Sequence, residues 1–153
     1  LSFASFSGTT FCSGVPCSTN YGDYFTTYTA NLTEGTPSAL TVNYNNSSDP
    51  TLFGFDIFCA AWVDWNNDGT FDDATERIMT SKLGPGGATT QAGANFTPTV
   101  VGTFRMHVIL QTGSNPTKPC TTDGGENGEA KDFKVIVSPF SVGNEKMDKF
   151  SDL

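Results

Sequence analysis

Leu52 to Trp65 is the most apolar stretch of the chain, and it alternates. Phe53, Phe55, Ile57, Cys59, Ala61, Val63 and Trp65 share one face, while Phe58, Ala60 and Trp62 are apolar on the other. A period of two belongs to an extended strand, and apolar residues on both faces mark a strand covered from both sides. This stretch is therefore expected at the centre of a sheet. Other segments repeat the period. Leu1, Phe3 and Phe6 begin a short strand; Tyr24 to Leu32 alternates; Leu40, Val42 and Tyr44 follow; and Arg77 to Leu83 reads as another. Ala92 to Pro98 is ambiguous. Phe104, Met106, Val108 and Leu110 face in, with Thr103, Arg105, His107 and Gln111 mostly facing out, and Phe133, Val135 and Val137 give the last strand before Pro139. No helical period of adequate length is present. Short alternating strands separated by Gly, Pro and Asn turns predict an all-β chain, a β-sandwich of immunoglobulin-like or jelly-roll type.

The central strand runs directly into an acidic loop. From Asp64, oxygen-bearing side chains recur at alternate positions, Asp64, Asn66 and Asp68, with Asp72 beyond them and Gly69 inside the bend. A curled loop aims residues 1, 3, 5, 7 and 9 at one centre, and calcium takes six to eight oxygens at roughly 2.3–2.6 Å. Thr70, at position 7, offers its backbone carbonyl. The pattern D-x-[DN]-x-[DN]-G is complete through Gly69 and then departs, because the twelfth residue is Thr75 and the closing acid, Glu76, comes one place late. A hairpin absorbs such a slip better than a rigid helix does, so the expectation is a calcium loop between strands. The plainer alternative is that Asn67-Asp68-Gly69 is only a hairpin turn. That alternative leaves Asp64, Asp72, Asp73 and Glu76 unexplained, since like charges so crowded repel unless a cation or open water relieves them.

The 153 residues suit one domain with a sizeable core, and 16 acidic against 8 basic residues give a net charge of −8. No basic stripe is present, which argues against nucleic acid and against an anionic membrane surface as partners. No apolar run approaches the roughly 20 residues that a membrane-spanning helix needs, so no membrane insertion is expected. The sequence begins at Leu1 and reads as a mature or excised segment. Four cysteines allow three pairings. Cys12 and Cys17 flank a turn-forming Ser-Gly-Val-Pro segment, which favours a local bridge and leaves Cys59 to pair with Cys120. Two bridges would imply an oxidising compartment; the alternative is four reduced thiols.

Trp62-Val63-Asp64-Trp65-Asn66-Asn67-Asp68-Gly69-Thr70-Phe71 resembles the WIDWNxDGxF signature of the GEVED domain family. Gly102-Thr103-Phe104-Arg105-Met106-His107-Val108 is similar to that family's G-x-x-R-M-R-V strand, and Gly128-Glu129-Ala130-Lys131-Asp132-Phe133 stands where its name-giving Gly-Glu-Val-Glu-Asp-Tyr does. Two departures are Lys131 for the second Glu and His107 for an Arg. The resemblance implies a β-sandwich module, here residues 1–138, in secreted multidomain proteins of Bacteroidetes-type bacteria, at the cell surface or beyond it. It implies no catalytic role. Residues 139–153, with Phe140-Ser141-Val142-Gly143-Asn144-Glu145, look like the lead-in to a type IX secretion C-terminal sorting domain; an ordinary polar linker is the alternative.

Enzymatic readings find little material. His107 is the one histidine, and it is expected on a strand surface; bridged cysteines cannot act as nucleophiles. Glu126 and Glu129 could form a glycosidase pair, but Glu126, Glu129 and Asp132 fit better as metal support or a solvated loop. The expected function is a non-catalytic, calcium-binding accessory module, monomeric in isolation, whose ligand is an extracellular polysaccharide. Its candidate sugar-stacking platforms are Tyr21, Tyr24, Tyr28, Tyr44 and Trp62. The alternative is a structural or adhesive spacer between a catalytic domain and the sorting signal.

Overall fold

The computed structural model describes residues 21–44, 56–85, 90–113 and 128–141, and every regular element among them is a β-strand. The strands are β1 (Tyr21–Asp23), β2 (Thr29–Thr33), β3 (Ser38–Tyr44), β4 (Asp56–Val63), β5 (Arg77–Pro85), β6 (Thr90–Phe96), β7 (Gly102–Thr112) and β8 (Gly128–Ser138). The larger sheet runs β1-β8-β7-β4-β5, with β2 pairing the same edge of the sequence in β8 further along. β1 and β2 both lie parallel to β8, and the β4–β5, β4–β7 and β7–β8 pairs are antiparallel. β3 and β6 form a separate antiparallel pair. No helix among the described residues is long and apolar enough to cross a membrane.

The two sheets enclose one core. Leu40 and Val42 of β3 meet Cys59, Ala61 and Val63 of β4, Phe104, Met106, Val108 and Leu110 of β7, and Phe133, Val135 and Val137 of β8. Each set occupies alternate positions, so the period of two read from the sequence is the period that fills the interior. This is the all-β sandwich that the strand pattern predicts. β4 lies between β5 and β7, and one of its faces packs in the main core. A second, smaller cluster of Ala60, Trp62 and Ile109, with Phe71 and Ala130 against it, lies on its opposite face.

The structure redraws some segments. Tyr24–Leu32 is not one strand: the chain turns after β1, with Tyr28 N–H donating to the Tyr24 carbonyl, and resumes as β2. The ambiguous segment near Ala92 is β6, paired across its length with β3. The expected strand at Leu1–Gly8, and Cys12, Cys17 and Cys120, lie outside the described residues. Cys59 is fully buried in the core and has no disulfide partner among the described residues.

Candidate functional site

The acidic loop joins β4 to β5, two antiparallel neighbours, so it is a hairpin connection as its sequence predicts. The pairing slips by one residue between Ala61 and Trp62, a bulge at the mouth of the loop. Val63 N–H donates to the Glu76 carbonyl, and Asp64 N–H to the carbonyl of Arg105 on β7, which anchors the loop's first residue to the sheet. Asn67 and Gly69 take left-handed backbone conformations, with φ of 57° and 80°. Asn tolerates that region and Gly enters it freely, which is the physical reason for this pair in the bend.

The side-chain oxygens turn inward on the loop's own amides. The Asp64 carboxylate accepts from Asp68 N–H at 3.2 Å and Gly69 N–H at 3.1 Å. Asn66 accepts from Asp68 N–H, Asp68 from the N–H and hydroxyl of Thr70, and Asp72 from Ala74 N–H, Thr75 N–H and the Thr75 hydroxyl. The Thr70 hydroxyl holds Asp68 below the usual carboxylate range, and the Thr75 hydroxyl does the same for Asp72. Both stay ionised. Glu76 is different: its Oε1 accepts from Trp65 N–H at 3.1 Å and its Oε2 from Asp72 N–H at 2.8 Å.

Asp64 is 5% exposed and Glu76 2%. No ion pair joins either to a described cation; Arg77 pairs with Asp73, and Lys82 with Asp56. Two buried carboxylates thus have only backbone N–H groups as partners. Among the described residues no three acidic, histidine or cysteine side chains are arranged to hold a metal. The donor set itself suits a hard cation. Asp64, Asn66, Asp68, Asp72 and the Thr70 carbonyl are all oxygens, and the buried charge at the loop's base lacks a counter-ion.

A second polar cluster lies on the face of the sheet away from the main core. Asp132 of β8 accepts from Arg105 Nη1 at 2.6 Å and from the Tyr21 hydroxyl at 2.9 Å, and its other oxygen meets His107 Nδ1 at 2.5 Å. Arg105 reaches Asp23 as well, at 3.2 Å. Burial alone would raise the Asp132 carboxyl; the bonds and charges of His107, Arg105 and Tyr21 outweigh it and hold the group low. Burial and the bond to Asp132 push the Tyr21 phenol up to about 12. Asp132, expected as metal support, therefore stands in an ion-pair network of its own. Glu129 lies on β8 opposite Leu110 of β7, and its side chain is outside the described residues.

His107 is 7% exposed, not a surface histidine. It faces away from the main core as the alternation predicts, but the acidic loop folds over it: Phe71 stacks on the imidazole at 5.3 Å and Trp62 tilts against it at 6.2 Å. Its Nε2 is buried without a described partner. The sequence signal for this network was the cross-strand register, which puts Asp132 opposite His107 and next but one to Arg105.

Trp62 must be withdrawn as a sugar platform. Its ring is 0% exposed, with the Arg77 guanidinium 4.9 Å above it and its indole N–H donated to Asp73. A ring without an open face cannot stack on a sugar. Tyr24 and Tyr28 are half-buried against the core, 5.6 Å apart, and Tyr24 also stacks on Phe133 and lies under the buried Lys131 ammonium. Tyr21 is 50% exposed. The Tyr44 side chain lies outside the described residues.

These features define an all-β sandwich module that carries an acidic hairpin loop braced against an aromatic and ion-pair cluster. Residues 58–136, just over half of the chain, match the GEVED domain family, and the chain belongs to that family. The matched span runs from β4 through the loop to Ile136 near the end of β8, so it includes both polar clusters except Tyr21 and Asp23. No curated protein matches the chain.

Proposed function

We propose that this domain is a non-catalytic, calcium-binding accessory module of an exported protein. The observation that carries the calcium reading is the pair of buried carboxylates, Asp64 and Glu76, without a cationic partner among the described residues. Removing charged groups from water costs several kcal/mol each unless opposite charge offsets it. Asp64, Asn66, Asp68, Asp72 and the Thr70 carbonyl would hold the ion, which supplies positive charge and stiffens the hairpin. Titration calorimetry on metal-stripped protein tests it. Heat of binding with a dissociation constant of roughly 10⁻⁴–10⁻³ M is expected; no heat at millimolar calcium refutes it.

Support for a non-catalytic role comes from His107 and Cys59. The imidazole is enclosed between Phe71 and Trp62 and engaged by Asp132, and burial pushes the Cys59 thiol far above its ordinary range. Neither is presented to a substrate. The burial of Trp62 and the half-burial of Tyr24 and Tyr28 favour a structural or adhesive spacer over a sugar-binding face. Tyr21, half-exposed beside Asp23 and Arg105, is the observation that keeps the polysaccharide reading, and a chain of net charge −8 would then take a neutral polymer. Affinity electrophoresis against neutral and sulfated polysaccharides, with calcium present, separates the two: retardation selects the glycan, and none selects the spacer. Placement in a Bacteroidetes-type exported protein, with residues 139–153 leading into a type IX sorting domain, rests on the resemblance of those motifs.

A further inference from the structure

We infer that Glu76 is a positioning residue, a clasp that closes the acidic loop from within, and not one of the ligands of the ion; this deepens the calcium reading and rests on it only for the word ligand. Three observations converge on Glu76. Its two carboxylate oxygens are both occupied, one by Trp65 N–H at the start of the loop and one by Asp72 N–H near its end. Its own backbone is tied at both groups, N–H to the Asp72 carbonyl and C=O to Val63 N–H. The residue is buried, whereas Asp68 and Asp72 are exposed.

The consequence follows from hydrogen-bond energetics. Turning Glu76 toward an ion would strip two amides of their acceptor, and an amide left unsatisfied away from water costs the full desolvation of that group. Asp64 also accepts one amide at each oxygen, but from Asp68 and Gly69 of the bend itself, so a cation seated in the bend would share its remaining lone pairs without breaking those bonds. In Asp72 the bonds accepted converge on Oδ1. Its Oδ2 has no described partner. The one-residue offset of the sequence has the same explanation. Thr75 occupies the twelfth position of the loop, and the acid one place later reaches the backbone of residues 65 and 72 instead of the loop's centre.

The test uses the full chain, with Glu76→Gln compared with Asp68→Asn. A clasp acts without metal. Glu76→Gln should therefore lower the melting temperature in chelator by about 5 °C or more, since bonds to a charged acceptor are lost in a chain of this size. The rise on adding millimolar calcium should persist in that variant. Asp68→Asn should melt in chelator within about 2 °C of the parent and lose the calcium-induced rise. A Glu76→Gln protein that melts like the parent in chelator, but no longer responds to calcium, overturns the inference. If that variant does not fold, amide exchange of the unmodified chain in chelator decides it. Slow exchange at Trp65 and Asp72 supports the clasp, and exchange at unprotected rates refutes it. A parent that ignores calcium removes the reading under Proposed function while the chelator arm still judges the clasp.

Discussion

The acidic loop and the Asp132 network both bury carboxylate, and they neutralise it in opposite ways. Asp132 is surrounded by the cationic Arg105, by His107 and by the Tyr21 hydroxyl, all from β7 and β1 across a regular register. Asp64 and Glu76 have, among the described residues, amide N–H groups alone. Amides orient a carboxylate and satisfy its lone pairs, but they do not cancel its charge. One region is complete within the protein, and the other is complete only with a cation from outside. Trp62 is their shared wall: it meets His107 on one side and, through Asp73 and Arg77, holds the far end of the loop on the other.

That shared wall gives the largest expected effect. Trp62→Ala should cost about 3–5 kcal/mol in denaturant unfolding, the usual range for a large aromatic removed from a closed site. A cost below about 1 kcal/mol would show that the two regions do not depend on the wall between them.

Asp132→Asn breaks the self-neutralised half. It leaves Arg105 and buried His107 without their carboxylate, and because Arg105 is about a third exposed the loss should be about 2–3 kcal/mol. The Asp132 carboxyl is held low in the folded chain, so its contribution is full above the unfolded value of about 3.9 and lost as pH falls through the lower folded one. The difference between parent and variant should thus shrink as pH falls below about 4. Unfolding curves at several pH values check it, and a gap that widens in acid contradicts it.

Gly69→Ala tests the other half without touching a charge. An added Cβ at Gly69 meets nothing within 4 Å, so only the φ of 80° resists it, and the loss should be about 1–2 kcal/mol. A neutral effect would mean that the bend relaxes freely. Tyr21→Phe should cost least, about 0.5–1 kcal/mol, for one hydrogen bond at a half-exposed site. Its phenol is raised in the folded chain, so the contribution is full below the ordinary value near 10 and fades as pH climbs toward 12. Ultraviolet titration should show a tyrosine with a raised pKa disappearing in the variant.

Much of this contrast was legible in the sequence, and the unread part has one cause. Alternation placed Phe104, Met106, Val108 and Leu110 inside, and the oxygen spacing from Asp64 placed the loop on a hairpin. Periodicity, however, assigns a residue to a face without saying what covers that face. His107 and Trp62 both point away from the main core and were therefore open to being read as exposed. The loop that folds over them, with Phe71 on His107 and Asp73 on Trp62, is a tertiary event that no period records. The Asp132 network was hidden for a related reason, since Asp132 is 25 or more residues from His107, Arg105 and Tyr21 and meets them only through strand register. Tyr24 to Tyr28 misled for the opposite reason, because an alternating string can also form a turn.

The central claim is that Asp64 and Glu76 lack, among the described residues, the cationic partner that Asp132 already has. Melting temperature in chelator and in about 5 mM calcium, for the parent, Asp64→Asn and Asp132→Asn, tests it most directly. With a dissociation constant of roughly 10⁻⁴–10⁻³ M, calcium should stabilise the parent by about 1–2 kcal/mol, a rise of a few degrees. Asp132→Asn should start lower and show the same rise, while Asp64→Asn should show almost none. A rise lost in Asp132→Asn but kept in Asp64→Asn, or absent from the parent, would contradict the account.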